Sequence, residues 1–162
     1  MQLDQATTIA ERVRQILLPF CHRCEIAGSV RRKRPVVNDI EIVCIPKPYD
    51  PLPLFVDGIA AIVNAWPKVR GELPCKYTRR VLPEGIELDL FFATRENWGL
   101  IYAIRTGSAD FSHKVLATGW VRNGYHSVDG MLHRDGEPVA TPEEYELFRL
   151  AGVPWMEPER RE

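Results

Sequence analysis

The runs Asp39-Ile40-Glu41-Ile42 and Glu87-Leu88-Asp89-Leu90 alternate a carboxylate with an aliphatic side chain. Successive residues of a strand face opposite sides, so each run turns its acids one way and its aliphatics the other. Ile40, Ile42 and Cys44 form one apolar stripe; Leu88, Leu90 and Phe92 form a second, with Glu87, Asp89 and Phe91 opposite. Such a chain is confined to a sheet with one apolar face for helices to cover and one face that gathers acids. Two acids on one strand face repel, and burial raises the cost of ionising both. A divalent cation removes that cost, and Mg2+ is commonly held by one or two carboxylates together with substrate phosphates and water. If the two strands are neighbours, Asp89 completes a trio with Asp39 and Glu41. Three carboxylates can hold two ions roughly 3.5–4 Å apart, one activating an attacking hydroxyl and one neutralising the leaving phosphates. Acids at alternate positions equally suit a plain solvated sheet face, so the neighbouring sequence has to decide.

Just upstream, Gly28-Ser29 closes one expected strand and opens a turn. Backbone N–H groups and the Ser29 hydroxyl in such a turn can face an anion. Arg32 can grip a phosphate through two guanidinium N–H groups. Arg31, Lys33 and Arg34 add positive potential, though each also fits a solvated loop. Phosphate donors ahead of metal-binding acids are what nucleotidyl transfer needs, because there the protein contributes mainly positioning and electrostatics.

The 162 residues suffice for one ordinary core or two small lobes. Hydrophobic content of 45% with 27% charged residues describes a soluble globular chain. No apolar run approaches the about 20 residues of a membrane span, and the polar, amphipathic start lacks the apolar centre of a signal peptide. A cytoplasmic location and no membrane partner are expected. A net charge of −1 gives no whole-molecule case for nucleic acid, so any such case must be local. Cys21 and Cys24 form a C-x-x-C, but Cys44 and Cys75 supply no second close pair, and free thiols are expected rather than a zinc site.

Helical spacing runs over Thr7–Leu18, with Ile9, Val13, Ile16 and Leu17 on the buried face, and over Pro53–Trp66. Strands are predicted at Cys24–Gly28, Asp39–Ile45, Lys76–Leu82 and Ile86–Ala93, the last two paired around Pro83-Glu84-Gly85. After Ala93 the pattern changes. Helices are predicted at Asn97–Thr106 and Ala109–Arg122, then short strands around Asp129-Gly130 and Asp135-Gly136. A last helix is capped at Thr141 and stopped at Gly152. An α+β lobe spanning residues 1–95 and a smaller lobe of helices and a hairpin spanning 96–162 are expected.

Gly28-Ser29-Val30-Arg31-Arg32, followed ten residues after the serine by Asp39-x-Glu41 and later by Glu87-Leu88-Asp89-Leu90, resembles DNA polymerase family X, the polymerase beta-like nucleotidyltransferases. Arg105-Thr106-Gly107-Ser108-Ala109-Asp110-Phe111 is similar to that family's T-G-S-x-x-F segment. Phe148-Arg149-Leu150-Ala151-Gly152-Val153-Pro154-Trp155 with Pro158-x-x-Arg161 is similar to its ending. The resemblance implies a nucleotidyltransferase palm with a mixed sheet and helices on one face, then a small nucleotide-binding lobe. It implies Asp39, Glu41 and Asp89 as catalytic ligands of two Mg2+ or Mn2+ ions, with Asp89 nearest the primer 3′-hydroxyl. It implies nucleotide contacts at Gly28, Ser29, Arg32, Asn38, Arg105, Thr106, Gly107, Ser108 and Ser112. Local cations Lys114, Arg122 and Arg134 are the candidate DNA contacts.

The sequence departs from the family pattern at Glu41, where aspartate is usual, at Ile104-Arg105, where Tyr-Phe is common, and at Ser112, where asparagine is usual. An apolar residue near Leu116 stands for the family's arginine. The chain starts about one helix before Gly28, so a minimal form without lyase and helix-hairpin-helix domains is expected. The expected activity is transfer of a nucleoside monophosphate from a dNTP or NTP to the 3′-hydroxyl of primer-template or gapped DNA, as in DNA repair, by a monomer. The alternatives are transfer to an RNA, protein or small-molecule hydroxyl, and a catalytically weak DNA-binding module.

Overall fold

A computed structural model describes residues 1–47 and 58–162. The chain divides into two units, Met1–Ala93 and Thr94–Glu162. The first contains α1 (Leu3–Leu17), β1 (Cys21–Ile26), α2 (Gly28–Arg31), β2 (Asp39–Pro46), α3 (Gly58–Asn64), β3 (Lys68–Arg70), β4 (Tyr77–Val81) and β5 (Glu87–Phe92). Its sheet has the order β1-β2-β5-β4-β3, with β2 and β5 parallel and the other neighbours antiparallel. The fold is therefore α+β, with a mixed sheet.

The aliphatic half of each alternating strand builds the core. Ile40, Ile42, Leu88 and Leu90 are fully buried and cluster with Ala6, Ala10, Val13 and Leu17 of α1 and Val63 of α3. The buried stripe of α1 is turned from the expected one: Ile16 is exposed, and the helix starts at Leu3 rather than Thr7. The small side chains of Ala6 and Ala10 let the helix backbone approach the sheet, a signal that a search for large aliphatics passes over. β1 starts at Cys21, not Cys24, and its pairing with β2 slips between Cys21 and Arg23. That bulge lets Cys21 and Cys24 both point into the core beside Cys44. All three thiols are free. Cys24 and Cys44 hold their protons strongly, through hydrogen bonding to Cys21 and burial, and the Cys21 thiol is correspondingly lowered. The predicted helix Pro53–Trp66 lies partly outside the described residues; within them it is Gly58–Asn64.

The second unit contains α4 (Trp98–Thr106), a π-helical stretch Phe111–Ala117, α5 (Thr118–Arg122), the meander β6 (His126–Val128), β7 (Met131–Arg134) and β8 (Glu137–Val139), and α6 (Glu144–Ala151). Asp129-Gly130 and Asp135-Gly136 each have both residues at positive φ, 51° and 79° then 52° and 80°, as tight hairpin turns require. Leu100, Phe111, Leu116, Trp120, Leu132, Leu147 and Phe148 form its core. The last helix is capped by Glu143 in a reciprocal box with Glu146, rather than by Thr141. Thr141 is already committed: its N–H donates to the Glu96 carbonyl and its carbonyl accepts from the Gly99 N–H, both at 2.7 Å. Gly152, in the left-handed region at φ 67°, stops the helix. The fully buried Arg161 is paired with Glu144 at 2.8 Å and lies 4.9 Å from the ring centres of Phe148 and Trp155. The last residues are thus packed against the unit's own core. No described helix is long and apolar enough to cross a membrane.

Candidate active site

Parallel pairing of β2 with β5 sets Asp39 opposite Glu87 and Glu41 opposite Asp89. Antiparallel pairing of β4 with β5 sets Arg79 opposite Asp89 and Tyr77 opposite Phe91. Residues paired across neighbouring strands share a face. Four acids, Arg79 and Tyr77 therefore stand together on the face turned away from the core. Asp89 is only 5% exposed, while Asp39, Glu41 and Glu87 are half-buried.

Arg79 organises this face. Its Nε donates to Asp89 Oδ1 at 2.6 Å and its Nη2 to Asp89 Oδ2 at 2.5 Å, a two-pronged pair. Nη2 also reaches Asp39 Oδ2 at 3.5 Å, and Nη1 donates to Glu87 Oε2 at 2.7 Å. The Tyr77 hydroxyl donates to Asp89 Oδ1 at 2.8 Å. Burial, and then the charge of Asp89, hold the Asp39 carboxyl above the usual carboxylate range, with Arg79 opposing the rise. Burial and donation to Asp89 raise the Tyr77 phenol. Its pairing with Asp89 makes Arg79 hold its charge more firmly than a free guanidinium.

Glu41 takes a separate place. Gly28 has φ 60°, and a Cβ built there would meet Glu41 Oε2 at 1.6 Å. The carboxylate thus lies directly against the Gly28 backbone, in space that any side chain would fill. The next residue supplies a second feature: Ser29 Oγ is buried and has no hydrogen-bond partner among the described residues. Arg32 ends the short α2, its N–H donating to the Gly28 carbonyl at 3.0 Å, and is half-buried. Asn38 is exposed, one residue before β2.

The three expected ligands share one face, but Asp39 and Asp89 turn to Arg79 while Glu41 turns to Gly28. Among the described residues no three acidic, histidine or cysteine side chains are gathered around one point for an ion. The chemistry nonetheless fits a hard divalent cation. All donors are carboxylate oxygens, and a guanidinium stands where positive charge is needed.

In the second unit, Arg105 is exposed at the end of α4. The Thr106 hydroxyl donates to the Tyr102 carbonyl at 2.7 Å. Gly107 takes φ 72° and its peptide bond to Ser108 is cis. Ser108 Oγ accepts the Phe111 N–H at 3.1 Å, capping the next helical stretch. Ser112 is buried, and its hydroxyl donates to the Ile104 carbonyl at 3.0 Å, facing backbone rather than open space. Lys114, paired with Asp110, and Arg122 line a cleft of about 220 Å³ with Gly119, Asn123 and Gly152. Arg134 lies elsewhere, on the meander, with its guanidinium 5.3 Å from the Tyr125 ring centre.

Residues 101–162 match the DNA polymerase beta thumb family. The whole chain superposes on Leishmania infantum polymerase beta, solved as a ternary P/T complex, with a TM-score of 0.70 and 17% identity, covering 100% of this chain and 76% of that one. The fold is similar to that of polymerase beta. No curated protein matches the chain by sequence.

In this polymerase beta-like fold strand register puts Asp39, Glu41 and Asp89 on one face of the first unit's sheet, and the Gly28 turn lies against Glu41. Arg79 and Tyr77 are the members that the motifs did not mark, and Glu87, inside the second motif, had no role assigned to it. The signal was present: the turn Pro83-Glu84-Gly85 pairs Leu82 with Ile86, and counting back sets Arg79 against Asp89 and Tyr77 against Phe91.

Proposed function

We infer that this polymerase beta-like chain is a metal-dependent nucleotidyltransferase that adds nucleotides to a DNA 3′-hydroxyl and releases pyrophosphate. The observation that carries this is the shared face of Asp39, Glu41 and Asp89 beside a Gly28-Ser29 turn whose buried hydroxyl has no partner among the described residues. The thumb match over residues 101–162 supports DNA as the acceptor.

Asp39, Glu41 and Asp89 are the residues that would hold Mg2+ or Mn2+, which when bound supplies charge neutralisation of the triphosphate and activation of the attacking hydroxyl. The chain's own groups do the rest. Ser29 Oγ donates to a phosphate oxygen, which gives its buried hydroxyl a partner. Arg32 binds the same triphosphate by charge-assisted N–H bonds. Asp89 Oδ receives the 3′-hydroxyl proton, and Tyr77, donating to Oδ1, fixes the rotamer of that carboxylate. Glu41 reaches further than aspartate by one methylene, and the absent side chain of Gly28 leaves room for it. In the second unit Arg105, Thr106, Gly107 and Ser108 form the proposed sugar-facing segment, and Lys114 and Arg122 the proposed contact to DNA phosphates. Ser112, whose hydroxyl donates its proton to the Ile104 carbonyl, is left with only acceptor capacity for the base edge.

Primer extension on gapped and templated DNA, with dNTPs and NTPs supplied separately, tests this function. A net charge of −1 favours one competing acceptor class, an RNA, protein or small-molecule hydroxyl. Labelled nucleotide appearing in those fractions and not in DNA would select it.

A further inference from the structure

We propose that Arg79 is a built-in, displaceable counter-cation: it holds Asp39 and Asp89 in the metal-free protein, and a divalent ion binds these acids only as the guanidinium withdraws onto Glu87. The proposal rests on the metal-dependent function inferred above and goes beyond it, since it assigns a role to a residue outside the acid trio.

Three observations carry it. First, one guanidinium spans three carboxylates, with contacts of 2.5 and 2.6 Å to Asp89, 3.5 Å to Asp39 and 2.7 Å to Glu87. It therefore occupies the space between the two acids that a metal would take. A dication and a guanidinium cannot share that space, because like charges repel strongly where the environment is only partly solvated. Second, exposure is graded along the path of withdrawal. The Asp89 side chain is 8% exposed, Arg79 30% and Glu87 39%. Moving from Asp89 toward Glu87 takes the guanidinium toward water, so release avoids stranding a buried charge. Third, Glu87 is held by the register that holds the acids: it pairs with Asp39 across β2 and with Val81 across β4. It is a fixed anchor one position from the metal ligands, and it keeps the guanidinium nearby for return.

Lysine could not substitute, because a single ammonium cannot bridge Asp89 in two prongs while also reaching Glu87. The consequence is that metal affinity is set below what three acids alone would give, and one of the four negative charges on the metal-free face is offset.

The test uses the full chain without nucleotide or DNA. Free Mn2+ is followed by electron paramagnetic resonance in wild type, Arg79→Gln and Asp89→Asn, with folding checked by circular dichroism. Glutamine keeps hydrogen-bonding capacity without charge. Arg79→Gln should bind Mn2+ about tenfold more tightly or better, in keeping with measured couplings of close charge pairs, and Asp89→Asn should abolish binding. Equal or weaker binding by Arg79→Gln, with Asp89→Asn still abolishing it, would overturn the proposal while leaving the metal-dependent function intact. Binding by no variant, wild type included, would overturn the proposal, which needs the acids to take the ion without nucleotide, and would leave the metal-dependent function to the primer-extension assay. If Arg79→Gln does not fold, wild type answers alone. The Arg79 Nε–H resonance should shift as Mg2+ saturates the site, and an unmoved resonance during saturation contradicts displacement.

Discussion

Arg79 and Asp89 face each other across β4 and β5 and are joined by two N–H···O bonds of 2.5 and 2.6 Å. The deepest acid of the sheet face is thus paired with a cation on the next strand.

Arg79→Ala should destabilise the metal-free protein by about 1–3 kcal/mol, the cost of leaving the buried Asp89 carboxylate without its donor, since Arg79 itself is partly exposed. Urea denaturation in EDTA measures this, and added Mg2+ should restore part of the loss. An unchanged midpoint in EDTA would mean the pair contributes nothing.

Ser29→Ala separates binding from folding. The hydroxyl is buried and has no partner among the described residues, so its removal should leave stability unchanged or raise it by up to about 1 kcal/mol. Nucleotide KM should rise roughly tenfold, since a charge-assisted bond to phosphate is lost. Loss of stability with unchanged KM would assign the hydroxyl to folding.

Gly28 and Gly85 both take positive φ, 60° and 81°, but differ in surroundings. A Cβ at Gly85 meets nothing within 4 Å, whereas at Gly28 it meets Glu41. Gly85→Ala should cost only the left-handed strain of about 1–2 kcal/mol. Gly28→Ala should add displacement of the Glu41 carboxylate and loss of metal binding. Denaturation of both variants with Mn2+ titration compares them.

The raised Asp39 carboxyl gives a pH signature. Because its folded titration lies above its unfolded one, its contribution to stability is present below the ordinary carboxylate range and is lost as pH rises through the raised value. In EDTA, Asp39→Asn should therefore gain in melting temperature over wild type as pH climbs from about 4, the ordinary aspartate value, toward neutrality. The two should converge at lower pH. A gap that widens on acidification would reverse the sign.

Much of this site was legible because it depends on local alternation. Asp39-Ile40-Glu41-Ile42 and Glu87-Leu88-Asp89-Leu90 can bury their aliphatics only by sharing an acid face, and the turn Pro83-Glu84-Gly85 fixes the hairpin register. What was not legible came from tertiary competition. Thr141 carries the expected cap, but its backbone is bonded to Glu96 and Gly99 and the helix begins only at Glu144, with Glu143 as its cap. The β1 bulge turns Cys21 inward against its parity. The three residues of β3, all exposed, have no apolar pattern to mark them. Ser112 is spent on the Ile104 carbonyl, and Arg134 lies on the meander while Lys114 and Arg122 line the cleft beside α5. Arg79 alternates correctly, yet only its pairing partner reveals what it does.

Single-nucleotide incorporation on gapped DNA with Mg2+ or Mn2+, comparing wild type with Asp89→Asn, bears most directly on the nucleotidyl-transfer function. Ion-dependent extension with pyrophosphate release by wild type is predicted, falling by about 100-fold or more in the variant, as when a transition-state contact is lost. No incorporation by folded wild type with either ion, or undiminished incorporation by Asp89→Asn, would contradict it.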